Sequence, residues 1–268
     1  MGYTNSYRGM LRYIKARWPA YLLGLALAFM LPILFFISLA EGWYSFTFLS
    51  LAALIVLLFF LGASLWTAHQ IYDLNSIERL IRSVQEIDPT ETIVDVHVWS
   101  RSTAVWLSRY MTSGKIIAID VFNPQLTSND RLNRWRRSEV KPMADPRLSL
   151  RDSDFSLLPL PDNCVPMVTV VESLSEFWQG GDREKLLKEV FRILEPGGSI
   201  ILVEQMRTSV NLILKGPSAS ALQPITYWSQ LLENNKFVIR DQATHRDIIT
   251  CISATRPEEP SVEQYRLL

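Results

Sequence analysis

The stretch 183-REKLLKEVFRILEPGGSIILVE-204 decides the fold. Residues 183–194 read as a helix with its charges gathered on one face, and 199–204 read as a strand. Between them stands Pro196-Gly197-Gly198. Proline ends the helix because it has no N–H to donate, and the glycines supply the positive φ needed to turn into the next strand. A helix that stops abruptly and hands over to an apolar strand is half of a unit in which helices cover a sheet.

Working outward, the same alternation recurs. Residues 92–98 are a β-branched run, 103–111 are helix-like, 115–121 form a second apolar run containing Asp120, and 167–171 form a third. A helix over 224–234 follows the fourth strand, and then the character changes. Residues 237–241 and 248–254 are strand-like runs separated by the short polar link 242–247. The pattern predicts an α/β, Rossmann-like domain: a mostly parallel sheet covered by helices, closed by a C-terminal antiparallel hairpin.

The first seventy residues are of another kind. Residues 19–40 and 44–66 contain no charged side chain, and each is about the ~20 residues a helix needs to cross a bilayer core. Glu41-Gly42-Trp43 is long enough only for a tight hairpin. Arg8, Arg12, Lys15 and Arg17 precede the first span, while Arg79 and Arg82 follow the second, so both termini and the folded body are expected on the cytoplasmic face. Ser38-Leu39-Ala40 resembles a leader cleavage site, but the apolar run is too long for a leader and a second span follows. Residues 71–87 carry apolar side chains at helical spacing and are expected to link the spans to the body. The expected organisation is a basic segment 1–18, a hairpin 19–66, a linking helix 67–91, the α/β domain 92–256 and a tail 257–268.

Composition agrees with a soluble body on a membrane anchor. Apolar residues make up 48% of the 268, charged residues 20%, and the mean hydropathy is +0.10. With 27 basic against 27 acidic residues there is no net field to attract nucleic acid, so no nucleic-acid partner is expected. Cys164 and Cys251 stand alone, and the three histidines are scattered, which predicts reduced thiols and no metal site.

The order of elements resembles the class I S-adenosylmethionine-dependent methyltransferases. Residues 183–204 are similar to the helix, Pro-Gly-Gly turn and strand of the small-molecule branch, methyltransferase type 11, which includes the C-methyltransferases of ubiquinone and menaquinone biosynthesis. Leu158 to Asn163, LPLPDN, resembles that branch's LPFxD element, and 116–120 resembles its second strand, ending in an acid. The resemblance covers residues 92–255. It implies S-adenosylmethionine as cofactor, with Asp95 as the acid of the first motif, Asp120 on the ribose hydroxyls, and Asp152 or Asp154 at the adenine. A carboxylate suits the ribose role because it accepts two hydrogen bonds.

In the family, glycines at alternate positions after the first acid let the backbone approach the ligand. Here 95-DVHVWSR-101 puts His97, Trp99 and Arg101 at those positions, and Val165-Pro166 stands where the branch has Phe-Asp. The site is thus expected to be degenerate, with Trp99 and Trp106 filling the vacated cleft. No nucleophile elbow, phosphate loop or HExxH helix competes, and catalytic residues are unassigned. The basic run 131–137 with Lys141 offers a surface for anionic headgroups or an acidic partner. The apolar, Gly/Pro-interrupted segment 209–222 is expected to cover an acceptor site or to rest on lipid or a partner. Two functions follow: an accessory or assembly subunit of a membrane protein complex that has lost the cofactor, or an active methyltransferase acting on a lipophilic quinone or lipid.

Overall fold

A computed structural model of the chain describes residues 7–126, 130–138 and 145–258. Lys141 and most of the tail 257–268 lie outside the described residues. The chain opens with α1 (Arg8–Ala16), then α2 (Trp18–Ala40) and α3 (Tyr44–Tyr72), two antiparallel helices long and apolar enough to cross a membrane. Their surface is inverted relative to a soluble bundle. Phe29, Phe36, Phe46 and Phe48 are exposed, while the buried positions are small or polar: Gly24, Ser38, Thr47, Ser50, Ala63 and Thr67. Hydroxyls join the pair, Tyr21 to Ser64 at 2.9 Å and Ser38 to Thr47 at 2.9 Å. Small residues and hydroxyls at the contact are how helices associate where lipid removes any hydrophobic drive between them.

The basic segment forms a helix rather than a loose arm. Asp73, just after α3, caps it by accepting from the Gly9 N–H at 2.6 Å and the Met10 N–H at 3.2 Å, satisfying donors that a helix start leaves without partners. The linking helix is also broken. Chain direction changes at Asn75, which sits in the left-handed region at φ 53°, and α4 (Ser76–Val84) restarts with Leu80 and Ile81 packed in the core. The Ser76 hydroxyl anchors this elbow by donating to the Gln70 carbonyl at 2.5 Å.

The α/β expectation holds. Strands β1 (Thr92–His97), β2 (Lys115–Asp120), β3 (Leu148–Asp152), β4 (Val165–Val171) and β5 (Leu194–Gln205) are parallel. β6 (Val238–His245) and β7 (Ile249–Thr255) are antiparallel, in the order β3-β2-β1-β4-β5-β7-β6. α5 (Ser102–Tyr110) follows β1, α6 (Asp130–Ser138) follows β2, α7 (Gly180–Ile193) follows β4, and α8 (Ser209–Lys215) and α9 (Ile225–Asn234) follow β5. Alternate strand residues feed two cores. Val94, Val96 and Val168 face α7 and α9 with Trp228, whereas Ile93, Ile116 and Ile201 face α4 and α5. β3 escaped the sequence pattern because it is a five-residue edge strand, mostly exposed, whose LSLRD shows no apolar run.

The opening stretch folds slightly differently from its reading. α7 stops at Ile193, β5 starts at once at Leu194, and Pro196-Gly197-Gly198 is an irregularity inside the strand, between the pairs Val165/Leu194 and Met167/Ser199. Only Gly197 needs positive φ, at +82°, and its N–H donates to the Arg256 carbonyl at 3.0 Å. Gly198 is required for space: a Cβ there would lie 2.9 Å from the Glu195 carbonyl oxygen and 3.0 Å from that of Pro166, both rigid backbone. Gly198→Ala is therefore expected to destabilise the domain by about 1–3 kcal/mol, more than Gly197→Ala, in denaturant melts.

Candidate functional site

The sheet order reverses between β1 and β4, and in open α/β sheets ligands bind beyond the carboxyl ends of the strands at such a point. Two groups of side chains meet there, one above β1 and β2, the other above β4 and β5.

Above β1 and β2 the residues singled out from the sequence come together, but largely with one another. Asp95 lies within β1 and is fully buried, its Oδ1 accepting from the Thr169 hydroxyl of β4 at 2.7 Å while its Oδ2 lies 3.3 Å from His97 Nδ1. His97, in register with Asp120 of β2, is buried as well. Trp99 turns onto α6, edge-on to Trp135 at 5.7 Å between ring centroids, and Trp135 in turn meets Tyr72 at 5.3 Å. Trp106, expected beside it, is elsewhere: it stacks with Tyr110, under Arg82 of α4, on the opposite face of the sheet. Trp135 takes the place foreseen for it, because α6 folds down over the end of β2.

The decisive contact is at Asp120. Arg136 of α6 grips it with both guanidinium nitrogens, Nη1 to Oδ1 at 2.9 Å and Nη2 to Oδ2 at 2.5 Å, and Nη1 also donates to the Val98 carbonyl at 2.6 Å. Arg101 stands 3.6 Å away, and the Phe122 N–H donates to Oδ1 at 3.1 Å. Burial by itself would raise this carboxyl, but the Arg136 hydrogen bonds, with His97 beside it, outweigh that and hold it below the usual aspartate value. Its two oxygens are the acceptors a ribose diol would need, and an arginine fork engages both. Asp152 ends β3 on the exposed edge, and Asp154 folds back to accept from the Ser156 N–H at 2.8 Å and its hydroxyl at 2.5 Å. In this arrangement the acid expected at the ribose is engaged by Arg136, and side chains occupy the expected glycine positions.

Two of the four arginines of the basic run 131–137 are engaged within the fold. Arg134 Nε donates to the Ala16 carbonyl at 2.7 Å, fastening α1 to α6, and Arg136 faces Asp120. Less of it remains as a free basic surface than its sequence suggests.

Above β4 and β5 lies a cavity of about 430 Å³ that the sequence did not reveal. Glu172 follows β4 at φ 47°, a conformation rare for a residue with a side chain, and accepts from Tyr72 Oη at 3.3 Å and from Gln205. Glu204, fully enclosed in β5, accepts from the backbone N–H groups of Leu174 and Ser175 at 2.8 and 3.2 Å. Lys215, at the end of α8, donates to Gln205. Burial pushes Glu204 up to about 8, raises Glu172, and brings Lys215 down to about 8. The available signal was an acid directly after each apolar strand, Val171-Glu172 and Val203-Glu204, and a lone cation in the apolar 209–222 segment. Among the described residues no cluster of metal-ligating side chains forms, and burial of Cys251 pushes its thiol up to about 12, leaving it inert.

Residues 99–202 match the family described as a methyltransferase domain. The sheet order and this match give the chain the fold of the class I methyltransferases. The match starts at Trp99, so Asp95 and His97 precede it. Among curated proteins, a demethylmenaquinone methyltransferase of Thermus thermophilus is 27% identical over 112 residues, 42% of this chain and 46% of that one. A dimethylglycine N-methyltransferase of Parasynechococcus marenigrum is 29% identical over 126 residues, 47% of this chain and 38% of that one. The aligned part is thus less than half the length of either relative. The crystal structure of an S-adenosylmethionine-dependent methyltransferase from Aquifex aeolicus superimposes with a TM-score of 0.54 at 18% identity, over 68% of this chain and 89% of that one, which establishes the shared fold. In the methyltransferase-type domain, the second helix-covered strand is where Asp120 and Arg136 meet.

Proposed function

We propose that this chain is a membrane-anchored, methyltransferase-type protein whose nucleoside site is closed, and that it works as a non-catalytic accessory or assembly subunit of a membrane protein complex. The observation that carries the reading is the two-pronged grip of Arg136 on Asp120, supported by the side chains at 97, 99 and 101. The charge asymmetry around α2 and α3 supports two spans with both termini and the domain on the cytoplasmic face.

The test is calorimetric titration of the full detergent-solubilised chain with S-adenosylmethionine. No heat at millimolar ligand is expected, and micromolar affinity would overturn the reading. Blue-native electrophoresis of gently solubilised membranes checks the partner: migration at the mass of the chain alone removes it.

A second reading, an active methyltransferase acting on a lipophilic acceptor, is favoured by the cavity above β4 and β5, which lies against α3 and could present such an acceptor in place. It requires the titration to show binding and labelled methyl groups to reach extracted lipid.

A further inference from the structure

The cavity above β4 and β5 does not end at the domain. A smaller space of about 170 Å³ continues from it, sharing Tyr13, Arg17, Lys215 and Ser218, and runs along Phe60, Ser64 and Thr67, one face of α3. α8 forms its other wall, and Leu212 and Ile213 of that short helix are exposed beside the span, 47% and 61%. Apolar side chains left outward next to an apolar helix place the mouth at bilayer level.

At the junction of the two spaces stand two cations, Arg17 and Lys215. Among the described residues no carboxylate lies within 4 Å of either; Arg17 rests on the Tyr13 ring at 4.3 Å and Lys215 donates only to Gln205. Three acids also line the larger space: Glu204, held by two backbone N–H groups, Glu172, held by Tyr72 and Gln205, and Glu176. Positive groups at the inner end of a passage walled by Phe60 and Leu214 together with hydroxyls are what an amphiphile with an anionic head matches.

We propose that this passage is a binding site for an anionic phospholipid, entering sideways from the bilayer, with its phosphate on Arg17 and Lys215 and its chain along Phe60 and Ser64 of α3. The inference goes beyond the closed nucleoside site and rests only on the membrane anchoring proposed above. Carbonate extraction of membranes checks that anchoring separately: release of the chain would remove the anchor itself, whatever the lipid result.

Native mass spectrometry of the full chain, released from micelles doped with equal phosphatidylglycerol and phosphatidylcholine, tests the site. One retained phosphatidylglycerol is expected, preferred about tenfold, the range of a charge-assisted contact. Arg17→Gln with Lys215→Met should abolish the preference, while Arg17→Lys should keep most of it. Equal retention of the two lipids, or an unchanged preference in the double variant, overturns the proposal. If the double variant fails to fold, thermal shifts of the unaltered chain decide. Stabilisation by phosphatidylglycerol, and none by glycerol phosphate or inorganic phosphate at the same concentration, supports a lipid site. Equal stabilisation by the soluble phosphates reduces it to a free-phosphate site, and no stabilisation by any of the three overturns it.

Discussion

Arg136→Ala should lower the stability of the chain by about 3 kcal/mol, the low end of the range for breaking a buried ion pair. Asp120 is 5% exposed, so removing the guanidinium leaves a carboxylate with little water, the Phe122 N–H at 3.1 Å and Arg101 at 3.6 Å, with His97 beside it. The companion change Asp120→Asn should recover much of the loss, giving a coupling of about 1.5 kcal/mol or more in a double-mutant cycle. Tryptophan fluorescence during urea unfolding reads the cycle, since Trp99 and Trp135 flank the pair. Because the folded carboxyl sits below its ordinary 3.8, this contribution is present above 3.8 and is lost as the pH falls through the folded value. If the alanine variant is as stable as the parent, the pair is incidental and the cleft is not locked.

The second large effect is at Glu204. Its carboxyl is 4.5 in the unfolded chain and about 8 in the fold, raised first by burial and then by the neighbouring Glu172 against the pull of the Ser175 N–H. A raised folded value means the contribution is complete below pH 4.5 and declines as the pH rises through 8. The loss across that window is on the order of 4 kcal/mol at most. Glu204→Gln keeps an acceptor for Leu174 and Ser175 but no proton to lose, so its melting temperature should fall much less between pH 4.5 and 8 than the parent's. Glu172 titrates with the same sign, so a residual slope should remain. Lys215, brought from 10.5 to about 8, acts above this window and with the opposite sign, stability rising with pH. Parallel curves for parent and variant would show that Glu204 is ionised throughout.

The contrast between the two sites explains what could be read from residues alone. Asp95, Asp120 and the substituted positions 97, 99 and 101 were visible because strand ends and the turn after β1 occupy set places in a repeating sequence pattern. What Asp120 does was not visible: Arg136 is sixteen residues away on a helix whose placement depends on Trp99, Trp135 and α1 packing together. Trp106 was assigned to the wrong face because a helix of nine residues offers several faces, and only contact with α4 selects one. The cavity above β4 and β5 was hidden for a related reason. Its walls come from α1, α3, α8 and two strand ends, segments scattered along the chain that meet only once the N-terminal helices pack on the sheet.

By itself the sequence determined the two long apolar helices, the alternation of strands and helices, the closing antiparallel pair and the side chains at 97, 99 and 101, because each is written in local periodicity or in one residue's backbone chemistry. Tertiary structure decided that the basic arm is a helix strapped to α6, that Asp120 is held by arginine, and that Arg17 and Lys215 share a cavity. Those outcomes depend on which distant side chains are brought within hydrogen-bonding reach and shielded from water, and no local pattern encodes that.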